Sequence, residues 1–235
     1  MLDFNNYDAL TFDCYGTLID WESGIAGALR PVVDAHGTSV SDDELMALYA
    51  EIEGVGKSGE YRRYREVLRA TVRGIGTRLG FVPSLSEVEC LAGSIGSWQP
   101  FPDTIDALRR FQGKYRLCIV SNVDDDLFAG TARTLEVDFD YIVTAEQAGS
   151  YKPSHNNFAI AVARIGVPKE RVLHVAESVK LDIVPAKSFG MDAVWVNRHA
   201  GLEREGSASG NPADGNSGAD LEVPDLKTLA DLMGL

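Results

Sequence analysis

The sequence has little positive charge for its length. Lysine and arginine together number 22, against 35 aspartate and glutamate residues, and the formal net charge is -13 at pH 7. Such a charge sets up a field that repels polyanions, so we expect neither nucleic acid nor an anionic membrane surface as a partner. A small anionic substrate would need a local pocket of positive charge.

Cysteine and long apolar runs are also scarce. The three cysteines, Cys14, Cys90 and Cys118, show no CxxC spacing, which favours reduced thiols over disulfides or zinc ligands. No charged and apolar leader pattern is present, and the longest apolar runs, such as LCIV, are too short to span a bilayer. These features predict a cytoplasmic protein.

Five short segments rich in β-branched and aromatic residues predict buried strands. Their apolar character is nearly continuous, as in strands that are covered on both faces. Helical patterns separate the last four of them, and an alternation of strand and helix predicts an α/β fold with a doubly wound parallel sheet. The five segments are residues 9–15, 116–122, 141–146, 172–178 and 192–198.

The block at residues 18–98 differs from the rest, because it contains no convincing strand and at least three helical patterns. Two of these patterns begin with the spacing of a capping box, Ser41 with Glu44 and Ser84 with Glu87. We therefore expect an α-helical insertion that sits over one end of the sheet.

The C-terminal part of the chain predicts a loop followed by a helix. Residues 205–220 are rich in Gly, Ser and Asn and are expected to form a mobile surface loop. Residues 223–235 have the pattern of a closing helix.

Polar residues follow several of the predicted strands at the points where they end. Ligands of open α/β sheets bind beyond the carboxyl ends of the strands, so these positions predict one shared crevice. Any one of these side chains alone would more often be an ordinary cap or turn residue. A lysine that faces clustered carboxylates would keep an aspartate ionised, and an ionised, oriented aspartate is a nucleophile. The residues are Asp13, Ser121, Asn122, Lys152, Glu177 and Asp182.

Four motifs resemble, in order, those of the haloacid dehalogenase-like hydrolase superfamily. They are DCYGTL after the first strand, VSN at the end of the second, YKP in the following loop, and ESVKLDIVPAKSFGM after the fourth. The resemblance implies a Rossmann-like core formed by residues 1–17 and 99–235, with residues 18–98 as an inserted α-helical cap domain.

The resemblance also implies roles for the residues that match these motifs. Asp13 would attack the substrate and form a covalent ester that water then hydrolyses. Thr17 and Lys152 would support Asp13, and Asp182, or Glu177, would orient or deprotonate the water. The side chains expected to contact the substrate are Tyr15, Ser121 and Asn122.

The residue at position 15 helps to distinguish a phosphatase from a dehalogenase. Phosphatases of the superfamily have a second aspartate at this position, which protonates a poorly leaving alkoxide. A phenol with a pKa of about 10 is a weak acid for that task, whereas a departing halide needs no proton. The pattern resembles the type II 2-haloacid dehalogenases, which implies a small anionic substrate, a 2-substituted carboxylic acid, and no required cofactor.

The sequence departs from that group at the cap. The arginine that those dehalogenases carry on a cap helix falls on Ala50 in this chain, so Arg62, Arg63 or Arg65 would have to substitute for it. Phe158 stands where a tyrosine is expected after the motif-three lysine.

Three alternatives remain open. Asp13, Glu177 and Asp182 resemble the oxygen ligands by which phosphatases of the superfamily bind Mg²⁺, which implies a Mg²⁺-dependent small-molecule phosphatase. The segments FDCYGTLIDWE, GSYKP, NNF and AES are similar to azetidine-2-carboxylate hydrolase, which opens a C–N bond. A non-catalytic binding module is the third alternative. Apolar positions such as Leu45 and Leu48 would suit a monomer or a homodimer equally.

Overall fold

A computed structural model describes residues 2–199 and 217–235 and centres on a parallel β-sheet. The strands are β1 (Ala9–Phe12), β2 (Arg116–Ser121), β3 (Tyr141–Thr144), β4 (Val172–Ala176), β5 (Asp192–Val196) and β6 (Leu221–Val223). They are ordered β3-β2-β1-β4-β5-β6, and every neighbouring pair is parallel. The predicted α/β class and the five predicted strands are confirmed.

The sixth strand was missed by the sequence analysis. β6 has only three residues and pairs with β5 at the edge of the sheet. A strand this short shows no alternation, and Val223 was assigned to the closing helix instead. Most of the predicted surface loop, residues 205–216, lies outside the described residues.

Helices cover both faces of the sheet. Those that lie after residue 100 are α6 (Thr104–Gln112), α7 (Asp125–Leu135), α8 (Ala145–Ala148), α9 (His155–Ile165), α10 (Val184–Phe189) and α11 (Leu226–Leu232). Apolar residues of α9 and α10 are buried against one face, and those of α6, α7 and α11 against the other. The strands are therefore buried on both sides, which is why their sequences are almost continuously apolar.

The block between β1 and α6 is helical. It contains α1 (Trp21–Ala35), α2 (Asp42–Gly56), α3 (Tyr64–Leu79), α4 (Leu85–Val88) and α5 (Cys90–Ser94). Both predicted capping boxes form, at the starts of α2 and α4. The chain enters and leaves the block side by side: Asp20 N donates to Gln99 O over 2.9 Å, and Phe101 N donates to Leu18 O over 3.0 Å. Among the described residues, no helix is long and apolar enough to cross a membrane.

Asp124 joins the helical block to the sheet. Its carboxylate is fully buried and accepts hydrogen bonds from the backbone N–H groups of Tyr64, over 2.8 Å, and Arg65, over 2.9 Å. These N–H groups belong to the first turn of α3, where a helix has no internal acceptors. The residue at the cap position of α3, Arg63, makes no side-chain hydrogen bond to the free N–H groups of the helix. A carboxylate from the loop after β2 therefore caps a helix of the inserted block.

Replacement of Asp124 tests this junction. Asp124→Ala leaves two N–H groups of α3 without their acceptor, so we expect the free energy of unfolding to fall by about 2 kcal/mol. Asp126→Ala is the matched control, because Asp126 is half exposed and contacts Arg65 on the surface, and it should cost less than about 1 kcal/mol. Urea unfolding of both variants measures the difference, and equal losses would contradict the assignment.

Candidate active site

Asp13 lies immediately after β1, at the carboxyl edge of the sheet. Its carboxylate Oδ2 accepts a hydrogen bond from Thr17 Oγ1 over 2.9 Å, and Thr17 Oγ1 in turn accepts the backbone N–H of Glu177 over 2.8 Å. The turn between them requires Gly16, whose φ of +99° is a conformation that side chains disfavour. A Cβ there would also lie 3.3 Å from Glu177 Oε2. The loop thus fixes one oxygen of Asp13.

Lys152 fixes the other oxygen. Its side chain is almost fully buried, and its ammonium donates to Asp13 Oδ1 over 2.7 Å, Asp182 Oδ1 over 2.6 Å and Val120 O over 2.9 Å. All three N–H bonds of the ammonium are therefore used. Asp13, Lys152 and Asp182 thus converge, as the sequence predicts, and form a single ion cluster.

Asn122 holds the backbone of Lys152. Its side-chain Oδ1 accepts the N–H of Lys152 over 2.7 Å, and its Nδ2 donates to the carbonyl of Lys152 over 3.2 Å. Both ends of the amide are thereby occupied. Asn122 lines the cavity described below, and these contacts give it a part in positioning Lys152.

Asp182 is held from its other side by His174. His174 Nε2 lies 3.0 Å from Asp182 Oδ1, and His174 Nδ1 lies 2.9 Å from Thr11 Oγ1. All three side chains are buried, and the ring of Phe158 packs edge-on against His174 with ring centroids 5.1 Å apart. This contact was missed by the sequence analysis. The signal for it was a polar residue in the middle of the apolar strand VLHVA.

The charged groups of the cluster shift one another's pKa values. Burial raises the pKa of the Asp13 carboxyl above its usual value, although Lys152 and Thr17 oppose the rise. Burial would raise the pKa of Asp182 as well, but Lys152 and His174 hold it below its usual value. Burial would lower the pKa of Lys152, and the two carboxylates raise it instead. Lys152 therefore stays protonated and compensates two buried negative groups.

Tyr15 and Ser121 differ in what their hydroxyl groups can do. The Tyr15 hydroxyl lies 2.9 Å from Thr131 Oγ1, and its ring packs edge-on against Trp98. Burial raises the pKa of Tyr15 well above its usual value, so this phenol is a poor proton donor. Ser121 Oγ, in contrast, is buried with no hydrogen-bond partner among the described residues, and Ser121 lines the cavity. Its hydroxyl can therefore donate a hydrogen bond to a ligand or accept one from it.

A cavity of about 580 Å³ lies over the ion cluster. Its floor is formed by the strand ends that carry Asp13, Ser121 and Glu177, and its opposite wall comes from the helical block. Aromatic side chains contribute much of that wall. Those from the helical block are Trp21, Tyr49, Tyr61 and Tyr64.

The expectation that an arginine would substitute at the cap is wrong. Ala50 does line the cavity, but Arg62, Arg63 and Arg65 do not. Arg62 donates to Gly56 O over 2.8 Å, while the guanidinium groups of the other two contact carboxylates at the start of α7 and in α8. Sequence proximity to Ala50 did not reveal these directions, because Arg63 and Arg65 contact helices that are distant in sequence. Of the residues that the structure describes, the lysines that line the cavity are Lys57, Lys152 and Lys180.

The carboxylates do not fit a magnesium site. Asp13, Glu177 and Asp182 all line the cavity, but Asp182 Oδ1 already contacts both Lys152 and His174, and Lys152 also contacts Asp13. Within residues 2–199 and 217–235, no three His, Cys, Asp or Glu side chains are arranged to hold a metal ion. The positive charge that contacts both Asp13 and Asp182 in this structure is the ammonium of Lys152.

Comparison with known proteins identifies relatives along most of the chain. The (S)-2-haloacid dehalogenase of Pseudomonas fluorescens is 28% identical over 201 residues, which cover 83% of this chain and 87% of that protein. The glyceraldehyde 3-phosphate phosphatase of Methanothermobacter thermautotrophicus is 31% identical over 197 residues, which cover 80% and 85%.

The fold is shared with solved structures as well. The L-2-haloacid dehalogenase of Xanthobacter autotrophicus, with chloropropionic acid covalently bound, superposes with a TM-score of 0.76 at 21% identity, covering 97% of this chain and 98% of that one. The family described as haloacid dehalogenase-like hydrolase matches residues 7–190, from before β1 to the end of α10. The chain therefore belongs to the haloacid dehalogenase-like hydrolase family.

Proposed function

We propose that this protein hydrolyses a small 2-substituted carboxylic acid, with Asp13 as nucleophile and a covalent ester as intermediate. The observation that carries the proposal is the fixed Asp13 carboxylate, held through Oδ1 by Lys152 and through Oδ2 by Thr17 at the floor of the cavity. The unpartnered Ser121 hydroxyl beside it is suited to hold the anionic end of a substrate.

The proposed reaction has two steps. In the first, an oxygen of Asp13 forms a bond to C2 of the substrate while the bond from C2 to the leaving group breaks, and the leaving group takes the electron pair. In the second, Asp182, positioned by His174, accepts a proton from water as the water oxygen attacks the Asp13 ester carbonyl. The bond between the ester oxygen and the Asp13 carbonyl carbon then breaks, Asp182 returns its proton to that oxygen, and the 2-hydroxy acid leaves. Asp13 now carries the water oxygen, and loss of the remaining water proton to solvent regenerates its carboxylate. In the resting site, Lys152 contacts the carboxylates of both Asp13 and Asp182.

Tyr15 favours a leaving group that needs no proton. Its hydroxyl is engaged with Thr131, and its raised pKa makes it a poor acid, so halide is a better leaving group here than an alkoxide. The relatedness to (S)-2-haloacid dehalogenases supports the same choice. The absence of a required cofactor is part of this proposal.

A Mg²⁺-dependent phosphatase is the second candidate. The relative of 31% identity named as a phosphatase favours it, and Glu177 lies in the cavity with Asp13 and Asp182. The ion contacts of Asp182 and the position of Lys152 weigh against it. Cleavage of a C–N bond in a strained amino acid remains a variant of the first proposal, because it uses the same nucleophile and the same kind of carbon centre.

We also propose a division into a Rossmann-like core, residues 1–17 and 99–235, and a helical cap, residues 18–98. The paired chain crossings at Leu18 to Asp20 and Gln99 to Phe101 support it. A cytoplasmic location and a monomeric or homodimeric state stay predictions.

Chloride release from (S)-2-chloropropionate in excess EDTA tests the proposed reaction. We expect the wild-type protein to release chloride without added metal. In Asp13→Asn, kcat should fall at least about 10³-fold because the nucleophile is absent. The control reaction is phosphate release from glyceraldehyde 3-phosphate with and without Mg²⁺. Phosphate release that needs Mg²⁺, with no chloride release, would replace the first candidate by the second.

Lys152→Met tests the role of the buried ammonium. Its removal leaves Asp13 and Asp182 as two buried carboxyl groups without a counter-charge, so one of them should take up a proton and kcat should fall at least about 10²-fold at neutral pH. Lys227→Met is the matched control, because Lys227 lies on the surface and pairs with Asp231. Circular dichroism establishes that both variants are folded, and a folded Lys152→Met variant with wild-type turnover would contradict the role.

A further inference from the structure

The cavity is much larger than the smallest substrates of the proposed class. A volume of about 580 Å³ lies within the range of roughly 300–1,000 Å³ that holds drug-sized ligands, whereas a three-carbon acid would fill only a small part of it. The reacting carbon has to lie at Asp13, so the remaining space extends towards the helical block. The residues in that wall therefore indicate what the rest of a substrate looks like.

An ion pair lies in this wall. Glu53, in α2, and Lys57, which follows the helix, both line the cavity, and Lys57 Nζ lies 2.8 Å from Glu53 Oε1. The two side chains are only 9% and 16% exposed. Glu53 Oε1 also accepts the hydroxyl of Tyr64 over 3.1 Å, and that hydroxyl lies 3.0 Å from the hydroxyl of Tyr49.

A purely structural role explains this pair less well. Glutamate and lysine four residues apart on a helix usually pair on an exposed face, where they contribute a few tenths of a kcal/mol. This pair is shielded from solvent, and removing charges from water carries a cost that one ion pair alone does not always repay. Among the described residues, the Lys57 ammonium contacts only Glu53, and Glu53 Oε2 accepts no hydrogen bond. One donor group and one acceptor atom are left for a ligand.

We propose that Glu53 and Lys57 form a distal subsite for a substrate with a carboxamide tail. This inference rests on the proposed function. The tail carbonyl would accept a hydrogen bond from Lys57, and its NH₂ group would donate to Glu53 Oε2. The ion pair has no net charge, so an uncharged tail leaves both charges compensated, whereas a carboxylate or ammonium tail would leave one charge in excess in a shielded site. The substrate class is a 2-substituted acid with a terminal amide.

Three chlorinated acids whose terminal groups are similar in size test the subsite. They are the (S)-2-chloro derivatives of glutaramate, 5-methylhexanoate and glutarate, which end in an amide, an isopropyl group and a carboxylate. We expect kcat/KM for the amide to exceed that for each of the other two by about tenfold or more, mainly through KM, because two hydrogen bonds depend on the tail. An equal or lower value for the amide would overturn the inference.

Variants of the pair show whether the preference comes from this subsite. In Lys57→Met, and in the double variant Glu53→Gln with Lys57→Met, the ratio of kcat/KM for the amide to that for the isopropyl acid should fall to near one. Glu51→Gln is the matched control in α2, because Glu51 is exposed and pairs with Arg78. It should keep the wild-type ratio. A wild-type ratio in Lys57→Met would overturn the inference.

Calorimetry separates failure of the subsite from failure of the proposed function. Unreactive glutaramate and 5-methylhexanoate are titrated into the Asp13→Asn variant, where no turnover is needed. Tighter binding of glutaramate, lost in Asp13→Asn with Lys57→Met, supports the subsite even if no chlorinated acid reacts. Equal binding of the two acids overturns the subsite even if chloride is released from (S)-2-chloropropionate.

Discussion

The shared ammonium of Lys152 is the interaction on which the site depends. Two buried carboxylates, Asp13 and Asp182, lie within hydrogen-bond distance of it, and without a counter-charge they could not both stay ionised. The cluster is assembled from three separate parts of the sheet edge. It therefore exists only when β1, the loop after β3 and the segment after β4 are in their final places.

Each member of the cluster has its own support. Thr17 orients Asp13, Asn122 fixes the backbone of Lys152, and His174 with Thr11 fixes Asp182. These contacts use most of the polar atoms near the cluster, whereas Ser121 Oγ is buried with no hydrogen-bond partner among the described residues. The Ser121 hydroxyl is therefore suited to donate a hydrogen bond to a small anion next to Asp13.

The sequence predicted the sheet and its polar edge better than the cap. Apolar runs revealed β1 to β5, and the rule that ligands bind beyond strand ends predicted that Asp13, Lys152 and Asp182 lie together. Neither kind of signal exists for β6, which is too short to show a pattern. The directions of Arg62, Arg63 and Arg65, and the cavity-facing pair Glu53 and Lys57, depend on how the helical block packs over the sheet. Local sequence carries little information about that packing.

Isotope transfer from labelled water tests the central claim, that Asp13 itself bonds to the substrate. The enzyme turns over a 2-chloro acid many times in H₂¹⁸O, and the mass of the peptide that contains Asp13 is then measured by mass spectrometry. Hydrolysis of an ester at its carbonyl carbon places a water oxygen in the Asp13 carboxylate, so the account predicts ¹⁸O in that side chain. An unlabelled Asp13 alongside labelled 2-hydroxy acid would show direct attack by water and would contradict the account.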